Sequence, residues 1–325
     1  MKLKNLVISG AGTTGIGFLG ILKYLDECNI LTDISSFTGT SMGSILCFLI
    51  TIDYSILELI EFCKYFKFFK LVSQGNLDNL LYNFGFENIN KLYYVLKRLT
   101  EAKKFDSKIT FKEHFEKTKL KLTVCGCCLS DSKTYYFNYD TYPDMEVLLA
   151  IKISCCIPLI FEPITFEDKL WIDGGITNNY PINFHDDNID NTLGICIFDD
   201  CLNKCEIKPQ NITDYIASVF KCIIYSDCYK NVYLYKNNTI KYNCDISCFS
   251  KFNINFNDIN DMIEYGYNCA IHNKEIIDKF NDSDTFVTSE SLNKSESENI
   301  KQIADIDIEE SSDENNLNET TNSEN

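Results

Sequence analysis

A chain of 325 residues with 45% hydrophobic and 24% charged residues is long enough to bury a substantial core, and a formal net charge of −17 excludes the basic footprint of nucleic-acid-binding proteins. No apolar run reaches the roughly 20 residues that cross a bilayer, and no secretory leader precedes the first strand. Eight of the 16 cysteines, Cys47, Cys125, Cys127, Cys128, Cys155, Cys156, Cys196 and Cys222, lie in apolar stretches, where a free thiol packs as a small hydrophobe, so the composition points to a cytoplasmic protein that meets membranes only peripherally. In chain order, Leu6-Val7-Ile8 reads as a strand, Gly10-Ala11-Gly12-Thr13-Thr14-Gly15 as a loop poor in side chains, and Ile16–Leu25 as a helix. Backbone N–H groups at such a helix start can cradle a dinucleotide pyrophosphate or form an oxyanion hole. The dinucleotide reading expects an acidic residue ending the second strand, and Asp33 precedes that strand instead. Ile34–Thr38 reads as the second strand. It runs into Gly39-Thr40-Ser41-Met42-Gly43 and then into the apolar helix Ile45–Ile50, the strand-turn-helix setting of a nucleophile elbow.

Ile56–Val72 interleaves Phe62, Tyr65, Phe66, Phe68 and Phe69 with Lys64, Lys67 and Lys70. The commoner reading is a core helix with its lysines in water; the sharper one is a lipid-interface segment that shapes an acyl entrance. A helical insertion reaches about Lys117, followed by strands at Leu120–Leu129 and Thr134–Phe137 and a helix near Met145–Ser154. Short strands lead to Asp173, and then come a strand at Leu193–Phe198, a helix near Ile212–Tyr225, a strand at Thr239–Cys244 and a last helix over Ile259–Phe280. Strands alternating with helices predict an α/β fold with a central, mostly parallel sheet flanked by helices. Cys125 to Cys128 spells Cys-x-x-Cys, but its side chains alternate across a strand and no second pair with zinc spacing follows, so no metal is expected. Residues 282–325 change character: thirteen acidic residues face two lysines, which predicts an acidic disordered tail behind a single domain over residues 1–281.

Four strings occur together: Gly-x-Gly-x-x-Gly from Gly10 to Gly15, Gly-x-Ser-x-Gly around Ser41, Ser-x-x-x-Pro-x-x-Phe-x-Pro from Ser154 to Pro163, and Asp-Gly-Gly-x-x-x-Asn-x-Pro from Asp173 to Pro181. In that order and spacing the chain from about Asn5 to Pro181 resembles the patatin-like phospholipase family. The resemblance implies a three-layer fold and a lipid acyl hydrolase, of phospholipase A, lysophospholipase or neutral acylglycerol lipase type, without cofactor or metal. Its substrate would be met transiently at a membrane or droplet surface. It implies Ser41 as nucleophile and Asp173 as general base, with Gly10, Ala11, Gly12, Thr13, Thr14 and Gly15 around the oxyanion. Gly39, Gly43, Gly174 and Gly175 would shape the elbow and the acid loop. The three histidines fit this two-member site: His185 falls in a polar, loop-like run and His272 on an amphipathic helix, and His114 lies in no motif. Two positions depart from the family's loop, Ala11 where glycine is usual and Thr14 where a cation is usual. Ala11 is unstrained only at negative φ. The loss of the cation keeps open a weakly active or inactive lipid-binding member, and the dinucleotide-binding alternative stands behind that.

Overall fold

Asn5–Ile8, Ser36–Thr40 and Thr192–Phe198 are buried at every position, the pattern of strands covered on both faces. The computed structural model describes residues 2–72, 77–199, 212–244, 253–280, 291–305 and 308. β1 (Asn5–Ile8) runs through a 3-10 turn (Gly12–Gly17) into α1 (Phe18–Glu27), and β2 (Ser36–Thr40) runs into α2 (Met42–Thr51). The insertion follows: α3 (Ile56–Tyr65), α4 (Leu77–Asn83), the short strand β3 (Gly85–Glu87), α5 (Asn90–Ala102) and α6 (Phe111–Thr118). Ser55 with Glu58 and Thr110 with Glu113 form capping boxes that start α3 and α6. β4 (Lys121–Cys128), β5 (Lys133–Phe137), α7 (Val147–Ser154), β6 (Leu159–Phe161), β7 (Ile164–Phe166), β8 (Lys169–Asp173), α8 (Gly175–Asn178) and β9 (Thr192–Phe198) complete the central part. α9 (Ile212–Leu234), β10 (Thr239–Asn243), α10 (Phe256–His272), α11 (Lys274–Ile277) and α12 (Lys294–Ala304) close the described chain.

The sheet has the order β10-β9-β1-β2-β4-β8-β7, with β5 also paired to β4. The five strands from β10 to β4 are parallel; β5, β8 and β7 are antiparallel additions. The expected mostly parallel sheet flanked by helices is present. Gly39 on β2 lies against α2, while Thr38 and Thr40 bond to His185 and to the Asn178 carbonyl on the opposite face. Register sets the working level of the sheet. Ile8 is opposite Gly39, Thr40 is opposite Cys125, and the next β4 residue, Gly126, is opposite Asp173. The turns after β1 and β2 therefore emerge level with the end of β8.

Two expectations are corrected. The last helix is two, α10 and α11, divided at Asn273, whose side chain donates to the Cys269 carbonyl at 2.8 Å. Within the stretch expected to be a disordered tail, Lys294–Ala304 is a helix, started by an Asn293–Glu296 capping box and packed on α3 with Ile300, Ala304 and Ile308 buried. Ser297 donates to Glu61 at 2.7 Å. The other residues of that stretch, 282–290, 306–307 and 309–325, lie outside the described residues, as do Cys201, Cys205 and Cys248. Among the described residues no helix is long and apolar enough to cross a membrane.

Candidate active site

Ser41 occupies the turn between β2 and α2 at φ 51°, ψ −124°, a conformation that costs a non-glycine residue about 1–3 kcal/mol and persists only when its surroundings enforce it. They do so from both sides. The Ser41 N–H donates to Ser154 Oγ at 2.8 Å, and that hydroxyl donates in turn to the Cys125 carbonyl at 2.6 Å. The Ser41 carbonyl accepts from the Ser44 N–H at 2.8 Å and from its hydroxyl at 2.7 Å. Gly39 and Gly43 meet across the turn so closely that a Cβ on either would overlap backbone. The side chain is thus presented at the N-terminus of α2 by a turn with no slack.

Asp173 ends β8 with its N–H bonded to the Cys156 carbonyl at 2.9 Å. It is 5% exposed. Burial pushes its carboxyl up to about 7, opposed by the Gly175 N–H, which donates to Oδ1 at 2.7 Å, and by the Ser41 side chain beside it. Gly174 passes so near the Cys125 carbonyl that a Cβ would collide with it. The two motifs are therefore brought together, serine beside carboxylate.

The glycine loop forms the third wall. Ala11 has φ −154°, so its side chain is accommodated without left-handed strain; Gly12, at φ 51°, takes the position that needs glycine. Thr14 is buried and donates to the Ala11 carbonyl at 2.6 Å, so the place where a cation is usual points into the protein. Gly15 packs on Met42. Asn179, the asparagine of the Asp-Gly-Gly-x-x-x-Asn-x-Pro string, to which the sequence assigned no role, ties this loop to the acid loop: its carbonyl accepts from the Gly10 N–H, its amide donates to the Gly10 carbonyl, both at 3.0 Å, and its Oδ1 fills the space beside Gly10 that a Cβ would need.

Two openings meet at Ser41, sharing Gly12, Ser41 and Ile157. One, of about 430 Å³ including space open to solvent, is bounded by the glycine loop, Asp173, Asn179, Pro158 and the α9 residues Phe220 and Ile224. The other, of about 830 Å³ on the same measure, is apolar almost throughout and runs from Gly12, Thr13 and Ser41 between α2, α3 and α5, past Leu46, Leu49, Phe62, Phe66, Leu96 and Leu99. The basic-aromatic stretch divides accordingly: Phe62, Phe66 and Phe68 turn inward to line this cavity, and Tyr65 and Phe69 stay exposed.

No histidine lines either opening. His185, which lies in a 3-10 segment, bonds Thr38 at 2.9 Å, three residues before Ser41 and roughly 10 Å along the strand. His114 bonds Thr51 at 2.8 Å, and burial holds both rings down at about 4. His272 is exposed at the end of α10. Asp33 is on the surface, paired with Lys2 at 3.0 Å, away from the glycine loop it would serve in a dinucleotide site. Among the described residues no cluster of His, Cys, Asp and Glu could hold a metal.

The profile described as "Patatin-like phospholipase" matches residues 6–184. "Probable lipid hydrolase 463L" of Invertebrate iridescent virus 6 is 40% identical over 188 residues, which are 55% of this chain and 62% of that protein. "Triacylglycerol lipase 4" of Saccharomyces cerevisiae is 28% identical over 232 residues, 66% of this chain and 25% of the lipase, so the chain spans under two thirds of both relatives. Among solved structures, VipD from Legionella pneumophila shares the fold with a TM-score of 0.59 at 12% identity, over 86% of this chain and 67% of VipD.

Proposed function

The chain belongs to the patatin-like phospholipase family, and from that premise and the geometry of its site we propose that it cleaves carboxylic esters of long-chain lipids with a Ser41–Asp173 pair. The observation that carries this reading is a strained serine that lines both openings, beside a buried carboxylate whose pKa is pushed up to about 7, with no histidine lining either one. A carboxylate near neutral pKa accepts a proton from a serine hydroxyl better than an ordinary one does. Ser41 Oγ attacks the ester carbonyl as Asp173 takes its proton, giving a tetrahedral oxyanion. Since the Ser41 N–H is committed to Ser154, the donors for that oxyanion are assigned to the backbone of the glycine loop around Gly12 and Thr13. The protonated Asp173 passes its proton to the departing alcohol, and a water, deprotonated by Asp173, frees the fatty acid and restores Ser41.

The apolar cavity beside Gly12 and Ser41 suits the acyl chain, and the opening that holds Asp173 suits the alcohol. Among the described residues no Lys or Arg lines either opening, and on that basis the reading favours an uncharged leaving alcohol, such as an acylglycerol, over an anionic phospholipid head. The test is release of fatty acid from emulsified acylglycerols and from phospholipid vesicles by the wild type, Ser41→Ala and Asp173→Asn. Turnover abolished by both substitutions supports the pair; turnover that survives either one refutes it.

A further inference from the structure

α9 has two faces with opposite tasks. Its inner face reaches the site: Phe220 and Ile224 line the opening beside Asp173, Asp227 accepts from the Tyr180 N–H at 3.1 Å, and the Asn231 amide donates to the Tyr180 carbonyl at 2.9 Å. The helix thereby grips the backbone at Tyr180, the residue after Asn179, between α8 and the 3-10 segment that follows. Its outer face is a stripe of Tyr215, Val219, Cys222, Ser226, Tyr229 and Tyr233, all exposed and spaced by alternating steps of four and three, which keeps them on one side of a helix. Tyr233 is 71% exposed and Tyr215 58%. In a chain of net charge −17, the six residues of the stripe include no carboxylate, and among the described side chains of α9 the charged one exposed alongside it is Lys230.

We propose that this outer face of α9 is the surface by which the protein docks on a lipid aggregate, which brings the helix that lines the opening beside Asp173 to the lipid surface. The inference rests on the hydrolase reading for the nature of the partner. Three observations favour lipid over a second copy of the chain. Tyrosine is amphipathic and suits a water–lipid boundary, whereas a helical dimer seam selects Leu, Ile or Val at these spacings. A stripe without carboxylates and with a lysine at its side complements zwitterionic and anionic headgroups. The same helix also lines the opening through which an ester must enter, with Phe220 and Ile224 on its other face.

The test is co-sedimentation of the Ser41→Ala chain, which consumes no lipid, with phosphatidylcholine and with mixed phosphatidylcholine–phosphatidylserine vesicles. Val219→Asp/Tyr233→Asp is expected to lower partitioning by about tenfold or more, with the milder Val219→Ser/Tyr233→Ser lowering it less and Lys230→Glu acting mainly on the mixed vesicles. On the active background the same substitutions leave hydrolysis of a water-soluble short-chain ester unchanged, which also reports that the variants are folded. Variants that bind vesicles like the parent overturn the proposal. So does a parent that sediments as a dimer in analytical ultracentrifugation and becomes monomeric on substitution, because the face is then a self-interface. If the wild type cuts no soluble ester but vesicle binding still depends on this face, the hydrolase reading fails and the docking surface stands.

Discussion

Asp173→Asn should make the protein more stable at neutral pH, by an amount that grows as pH rises toward about 7 and levels off above it. An unfolded aspartate ionises near 3.8, whereas burial lifts Asp173 to about 7. A raised folded-state pKa contributes stability that is complete below the unfolded value and is lost as pH rises through the folded one. The full loss corresponds to about 4 kcal/mol, and about 2 kcal/mol of it falls between about pH 5.5 and 8.5. Asparagine is nearly isosteric, retains an acceptor for the Gly175 N–H and never ionises. The self-repulsion of a chain at −17 acts on both proteins and cancels in their difference. Trp171, the sole tryptophan, is 1% exposed and two residues before Asp173, so urea unfolding followed by its fluorescence reports on this part of the fold. Working above the isoelectric point near 4.6 avoids precipitation. The stability gap between Asp173→Asn and wild type is expected to widen by about 2 kcal/mol across that interval. A gap that stays constant or narrows would refute the buried, late-ionising carboxylate.

The same group sets the pH–rate profile: kcat/KM on a soluble ester should climb about tenfold per pH unit below about 7 and level off above it, and a midpoint near 4 would contradict that. Asn179→Ala removes the amide bridge to Gly10 while leaving the catalytic pair in place, and should cost about tenfold or more in kcat with a stability loss of about 1–2 kcal/mol, read from turnover and urea unfolding. Leu96→Trp fills part of the apolar cavity; a chain-length series should show butyrate esters cut normally and long-chain esters cut about tenfold less well or worse.

The parts of the site that were legible in the sequence are contiguous strings whose chemistry is local. The glycine loop, the elbow and the Asp-Gly-Gly turn each announce themselves because a tight turn restricts residue type over four to six positions. Ala11 could be judged only against the backbone φ of the folded chain, and at −154° it fits. What no local pattern could show are the ties between strings: Ser154 to Ser41 across 113 residues, Asn179 to Gly10 across 169, and Asp227 to Tyr180 across 47. The basic-aromatic stretch held two readings because lysines and phenylalanines alternate, and only packing shows that Phe62, Phe66 and Phe68 line a cavity. In the acidic C-terminal region, average composition outweighed a local signal: Asn293 and Glu296 in capping-box spacing, followed by Ile300 and Ile303, mark a helix that α3 provides with a partner surface.

The most direct test of the central claim is labelling of the wild type, Ser41→Ala and Asp173→Asn with a fluorophosphonate, read by mass spectrometry of the intact chain and its peptides. A single adduct on Ser41, absent in Ser41→Ala and greatly slowed in Asp173→Asn, is the result that the pair predicts. No adduct on the wild type, or one on another residue that is indifferent to both substitutions, would contradict it.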